Sequence, residues 1–251
     1  MKGLLVRVGC DSTRKFGHWN APVDTESWEF VYVPKPEPGE ILPELQQDYA
    51  YTKAMPFLGR FAERHGTSLN GLRFPEDLPN ETMHLDPDFE YLTYGDKYPR
   101  NSKMKEMDKG DIIAFYSGLK PIKPLREKTV YALIGIYILK EKARLAKEIH
   151  ASLWKQNAHT RRKTKRCDDE KGDLVVWAEP SLSGRLKKCI PIGEWRNRAY
   201  RVTEDLLKEW GGISSKDGYI QRSAVPPEFN NTMKFYSWFK SHSTGLEQRN
   251  F

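Results

Sequence analysis

The stretch "GDIIAFYSGL", residues 110–119, decides the fold. Gly110-Asp111 reads as a turn, Ile112 to Tyr116 is apolar without a break, and Gly118 closes the run. A strand with one wet face alternates apolar and polar residues, so an unbroken run marks a strand covered on both sides. After the proline-bearing link "KPIKPLREK" comes "TVYALIGIYIL", residues 129–139, whose β-branched and apolar residues make it the central partner of the first run. Two such neighbours imply a sheet buried on both faces or a small closed barrel.

Working outward, "LLVRVG" predicts a strand over 4–8, "WEFVYVP" an alternating one over 28–33 and "DLVVWAEP" one over 174–178. Four prolines between 34 and 43 make an extended connector, and 34–83 reads as an insertion-like arm. Helical spacing runs through 47–65 on both sides of Pro56, and Leu145, Ile149, Leu153 and Trp154 predict a helix over 141–156. "TEDLLKEWGG" predicts a short helix capped by Thr203 and Gly211, and "PPEFNNTMKFYSWFKSH" a final one beginning at its prolines. The expected fold is α+β over 1–251 as one domain: a mixed sheet or partly closed barrel around strands 4–8, 28–33, 111–116, 130–139 and 174–178, with flanking helices.

In 251 residues, hydrophobic side chains at 38% and charged ones at 30% describe a soluble, folded chain. The net charge of +7 and a pI near 9.1 point toward a polyanionic partner such as nucleic acid, although a solvated basic surface has the same composition. Cys10, Cys167 and Cys189 form no C-x-x-C pair and are odd in number, which excludes a disulfide framework or zinc ribbon and suits the reducing cytoplasm. Cys10, ending a buried strand, reads as core. The apolar start is too short for a signal segment, and "YALIGIYILK" falls short of a membrane span, so no membrane partner is expected.

Polar chemistry concentrates in loops. "HLDPDFEYLTYGD", residues 84–96, holds three aspartates, a glutamate, a histidine and two tyrosines. Asp86-Pro87-Asp88 suits a turn or helix start, while Tyr94-Gly95-Asp96 sets a ring and an acceptor close together, as a nucleobase pocket needs. His84 with Asp86, Asp88 and Asp96 also reads as a metal cluster, but no fixed spacing such as H-x-x-x-H supports it, and no metal or cofactor is assigned. "QNAHTRRKTKR", 156–166, places five basic residues among the six from Arg161 to Arg166, either a solvated helix end or a phosphate contact, with Asn157 and His159 beside them. In "EPSLSGRLKKCIPI", Ser181, Ser183, Gly184 and Arg185 suggest a turn and helix start able to cradle phosphate. P-loop, G-x-G-x-x-G and G-x-S-x-G patterns are all absent.

Taken in order, "LLVRVGCDS", "GHWNAPVD", "FVYVPKPE", "HLDPDFEYLTYGD", "GDIIAFYSGL", "NAH" and "SLSGRLKKCIPI" resemble the third group of nucleotide modification associated domains, over about residues 3–193. The resemblance implies a place in systems that modify DNA bases and carries no established catalytic residues with it. A second likeness, from "GDIIAFYSG" and "YALIGIYIL", is to the PUA-like superfamily and implies a partly closed barrel with a pocket for an extruded base.

Three functions follow. The first is a DNA- or nucleotide-binding module, alongside protein components of a modification system. In it Trp19, Tyr94 and Tyr116 stack a base, Asn20, Asp96 and Asn157 read it, and Arg161, Arg162, Lys163, Ser183 and Arg185 hold phosphates. The second is an enzyme using His18 or His159 as general base, with Asp11, Asp86 or Asp88 as carboxylate partners or metal ligands. The third is a non-catalytic interaction domain.

Overall fold

Ile112 to Tyr116 splits its side chains between two separate apolar clusters, which is why the run needs no polar face. Ile113 and Phe115 enter one cluster, and Ile112, Ala114 and Tyr116 the other. The computed structural model describes residues 1–12, 19–123, 125, 128–162, 172–222 and 225–251. Their strands are β1 (Gly3–Arg7), β2 (Pro22–Val23), β3 (Thr93–Asp96), β4 (Ile112–Pro121), β5 (Val130–Ile138), β6 (Arg144–Leu145), β7 (Leu174–Trp177), β8 (Gly184–Pro191), β9 (Gly193–Arg196), β10 (Ala199–Val202) and β11 (Leu246–Glu247). The α-helices are α1 (Met55–Arg64), α2 (Glu204–Trp210) and α3 (Thr232–His242).

The main sheet runs β1-β4-β5-β8-β11, with β2 also on β4. β1 and β2 lie parallel to β4, whereas β4 to β5, β5 to β8 and β8 to β11 are antiparallel, so the sheet is mixed as expected. β3, β7 and β6 form a second sheet, and β9 with β10 a hairpin. The sheet stays open among the described residues, so no partly closed PUA-like barrel forms there. One face is covered by α2 and α3, through Trp210, Phe235, Trp238 and Phe239. The other is covered by β3, β7 and the arm, whose Tyr51, Ala54, Leu58 and Leu78 are buried in the same cluster as Ile113 and Phe115.

The polar stretch 84–96 crosses that second face and drives Phe89 into the core. Phe89 is fully buried, with its ring edge-on to Tyr32, Phe115 and Tyr137 at centroid distances of 5.3, 5.9 and 5.7 Å. Gly135 makes room for it, since a Cβ there would stand 2.4 Å from the Phe89 ring.

Several elements differ from the expectation. Residues 28–33 pair only at Phe30, because Trp28 takes a positive φ of 61° and the backbone bonds divide among Pro22, Cys10 and Cys189. No α-helix forms over 141–156: Arg144 and Leu145 pair with β7, and the chain continues in 3-10 turns at Ala146–Glu148 and Ala151–Gln156. Leu153 and Trp154 still reach an apolar cluster, against Val175 and Trp177, so the periodic spacing is satisfied by a different backbone. The "SGRLKKCIPI" segment is strand rather than a helix start. α3 begins at Thr232 under an Asn231 cap, because Pro227 to Phe229 run along β1, where Leu5 N–H donates to Pro227 O and Phe229 N–H to Gly3 O. Both predicted caps of α2 are present: Thr203 accepts from Leu206 N–H, and Gly211 has a φ of 77°.

Cys10 and Cys189 are free and buried, and burial, with Asp11 nearby, pushes the Cys10 thiol up to about 12. Burial pushes Cys189 up as well. In a Cys167→Ser background neither thiol is therefore expected to react with an aromatic disulfide reagent at pH 8 until the protein is unfolded. Rapid labelling of the native protein would contradict this packing.

Candidate functional site

β1, β3 and β4 converge on a cavity of about 450 Å³. Its apolar wall includes Leu5, Val8, Pro226 and Pro227, and its polar lining is Arg7, Lys35, Asp86, Tyr94, Asp96, Arg100, Tyr116 and Arg222. Four cations therefore face two carboxylates. Of the residues singled out in the sequence, Asp86, Tyr94, Asp96 and Tyr116 meet here.

Each charge is positioned differently. Arg7 Nε and Nη2 donate to Asp11 Oδ2 at 3.0 and 2.6 Å, and Asp11 also accepts from Gly118 N–H at 3.0 Å. Burial raises the Asp11 pKa above the usual carboxylate value, against the pull of Arg7. Asp11 thus stands one layer behind the cavity and holds Arg7 in it. Asp96 Oδ2 accepts from Tyr94 Oη at 2.6 Å and from Arg100 Nε at 2.9 Å. Burial and the neighbouring Asp96 push Tyr94 well above the usual phenol range, so it remains a neutral donor. Tyr116 Oη donates to Ile220 O at 2.6 Å. Both rings are buried, and they wall the cavity rather than offer open stacking faces.

Lys35 is the exception. Its ammonium has no hydrogen-bond or ion-pair partner among the described residues, and it is partly buried between Pro34 and Pro36. Burial pulls its pKa below the usual lysine value, opposed by Asp96 and Asp86. A desolvated cation at a cavity wall is an anion site in waiting.

Behind Asp86 lies a buried network. Asp86 Oδ1 accepts from Gly95 N–H at 2.7 Å and Asn157 Nδ2 at 3.2 Å. Its Oδ2 faces His159 Nε2 at 3.3 Å and His84 Nε2 at 3.7 Å. His84 Nδ1 lies 2.6 Å from Glu37, and His159 Nδ1 2.6 Å from Asp173. Arg162 bridges the two outer carboxylates, at 2.7 Å to Glu37 and 2.9 Å to Asp173. Burial opposes charge on Asp86, but the two imidazoles outweigh it and hold the carboxyl well below its usual range. Burial likewise opposes protonation of His159, but Asp173 and Asp86 raise it to about 9. Burial also works against Glu37, which His84 and Arg162 hold at about 2. Gly95 lets these layers touch, since a Cβ there would lie 2.5 Å from His159.

The remaining sequence candidates stand elsewhere. Trp19 packs edge-on to Phe74 and donates to Arg73 O, and Asn20 donates to Gly118 O. Asp88 and Arg161 form a buried ion pair, so the Arg161 guanidinium does not reach a solvent-facing phosphate. Ser183 is buried and accepts from Ile138 N–H at 2.9 Å, while Arg185 pairs with Glu247 at 2.9 Å. His18 and Lys163 lie outside the described residues. A second groove, of about 370 Å³, carries Arg60, Arg64, Lys187, Lys188 and Arg249. There Arg64 pairs with Glu29, Arg249 with Glu247, and Arg60 lies 4.3 Å over Phe57.

Sequence reasoning overlooked Arg7, Lys35, Arg100, Glu37 and Asp173. Arg7 interrupts an apolar strand and Arg100 follows Asp96 by four residues, which are weak signals. Glu37 and Asp173 carry none, because their histidine partners are distant in the chain.

No curated protein and no solved structure matches the chain. A family model does, across residues 2–208, which includes every cavity residue named above except Arg222, Pro226 and Pro227. The matched span covers the order of segments that suggested the family from sequence, and the chain belongs to the family described as nucleotide modification associated domain 3.

Proposed function

We propose that the cavity binds a phosphate-bearing nucleotide, free or drawn out of DNA, within a base-modification system. The observation that carries this reading is the Lys35 ammonium, without a hydrogen-bond or ion-pair partner among the described residues and partly buried beside Arg7 and Arg100 in a cavity of about 450 Å³. An anion there would relieve the desolvated charge, and in this reading Asp96, at the cavity wall, accepts from a base edge through the lone pairs that Tyr94, Arg100 and Lys97 leave over. Membership of a nucleotide modification associated family supports the same class of ligand. No helix among the described residues is long and apolar enough to cross a membrane. Turnover of the bound nucleotide is a second reading, favoured by one observation: Asp86, at the cavity wall, touches a buried pair of histidines.

Fluorescence anisotropy with single- and double-stranded DNA, modified and unmodified, and competition by nucleoside monophosphates test the binding. Affinity is expected to fall as salt rises. Lys35→Gln is expected to weaken it about tenfold or more, the loss of a charge-assisted hydrogen bond. Binding that ignores both salt and Lys35 would refute the assignment.

A further inference from the structure

The buried histidines carry an inference that does not depend on what fills the cavity. His84 is buried, and its Nε2 has no hydrogen-bond partner among the described residues. An unpaired polar atom in such a place is costly, and the rest of its surroundings are too well arranged for a packing fault. A neutral imidazole that donates Nδ1–H to a carboxylate has its lone pair on Nε2. Both rings have a carboxylate at Nδ1, Glu37 for His84 and Asp173 for His159. Both Nε2 atoms therefore turn toward Asp86, whose Oδ1 is occupied by Gly95 and Asn157 and whose Oδ2 lies 3.3 Å from His159 Nε2 and 3.7 Å from His84 Nε2.

We propose that His84 Nε2, Asp86 Oδ2 and His159 Nε2 form a binding site for one divalent first-row transition ion such as Zn²⁺ or Fe²⁺. The three donor atoms lie within 4.8 Å of one another. Donors about 2.1 Å from a tetrahedral ion stand about 3.4 Å apart. The two separations from Asp86 Oδ2, 3.3 and 3.7 Å, bracket that spacing. Two imidazoles and one carboxylate select zinc or iron over the harder ions, which prefer oxygen throughout. Glu37, Asp173 and Arg162 supply the outer layer that orients such ligands, with Arg162 tying the two carboxylates together. An ion displaces the protons from the imidazoles it ligates, and with both rings neutral the three carboxylates against one guanidinium leave two negative charges, which a divalent ion neutralises. Three protein donors also leave coordination positions for water or a ligand oxygen, at a cluster that borders the cavity through Asp86.

The site differs from the cluster suggested by sequence proximity. Asp88 and Asp96 face Arg161 and Arg100 instead, and His159 arrives from a distant segment.

The test is titration of the chelator-stripped full chain with Co²⁺, followed by visible absorption, with Zn²⁺ calorimetry for stoichiometry. One ion per chain is expected. His84→Ala is expected to abolish the Co²⁺ bands, Asp173→Asn to weaken binding about 10- to 100-fold, and His65→Ala, at a separate histidine paired with Glu29, to leave it unchanged. Should His84→Ala fail to fold, anomalous scattering from Zn²⁺-soaked wild-type crystals decides. An ion between the three donors supports the site. No uptake by wild type, bands retained in His84→Ala, or an ion bound only elsewhere overturns it.

Discussion

Arg161→Ala is expected to lower the free energy of unfolding by about 3–5 kcal/mol, as read by urea denaturation. Arg161 is 1% exposed, its Nη2 pairs with Asp88, its Nε donates to Lys155 O at 2.9 Å, and its guanidinium lies 3.9 Å from the centre of the Tyr49 ring. Asp88 is itself a hub: its Oδ1 accepts from Glu90 and Tyr91 N–H and from Asn250 Nδ2, which ties the end of the chain to the polar stretch. Truncating the arginine leaves that carboxylate buried without its counter-charge. The double variant Arg161→Met with Asp88→Asn removes both charges while keeping an acceptor at Oδ1. It is expected to lose less than Arg161→Met alone. A change below about 1 kcal/mol for Arg161→Ala, the value of an exposed ion pair, would contradict the burial of this pair.

Phe89→Ala is expected to cost a similar amount, about 3–5 kcal/mol. The ring is fully buried among Tyr32, Phe115 and Tyr137, and its backbone N–H donates to Asn250 Oδ1 at 2.8 Å. Removing it opens a cavity beside Gly135 in the central strand, which cannot fill the space without moving β5 against β8. The effect should appear as a lower urea midpoint with an unchanged slope. A loss under about 1 kcal/mol would mean that the loop carrying Asp86 and Asp88 is not anchored through this ring.

These two residues show what the sequence could and could not disclose. The paired apolar runs at 112–116 and 130–138 declare β4 and β5 because burial on both faces leaves a compositional mark. Thr203 and Gly211 declare the ends of α2 because capping is local chemistry. The 141–156 segment misleads because its apolar spacing is helical while its backbone partner is β7, thirty residues on. Its periodicity reports which residues are buried, not what conformation buries them. In the candidate site, Tyr94 and Asp96 were legible as a ring and an acceptor set close together and Tyr116 as a ring ending an apolar run, whereas Lys35 looked like one charge in a proline-rich connector. The basic run at 161–166 suggested phosphate contacts, but Arg161 and Arg162 neutralise buried carboxylates supplied by other segments. Pairings over such sequence separations leave no local pattern.

The most direct test of the central claim is a crystal structure of the protein with a bound nucleoside monophosphate. The phosphate is expected against Lys35, between Arg7 and Arg100, with the base toward Asp96. Density for the nucleotide along the second groove, at Arg60, Lys187 and Lys188, with the Lys35 cavity unaltered, would contradict the account.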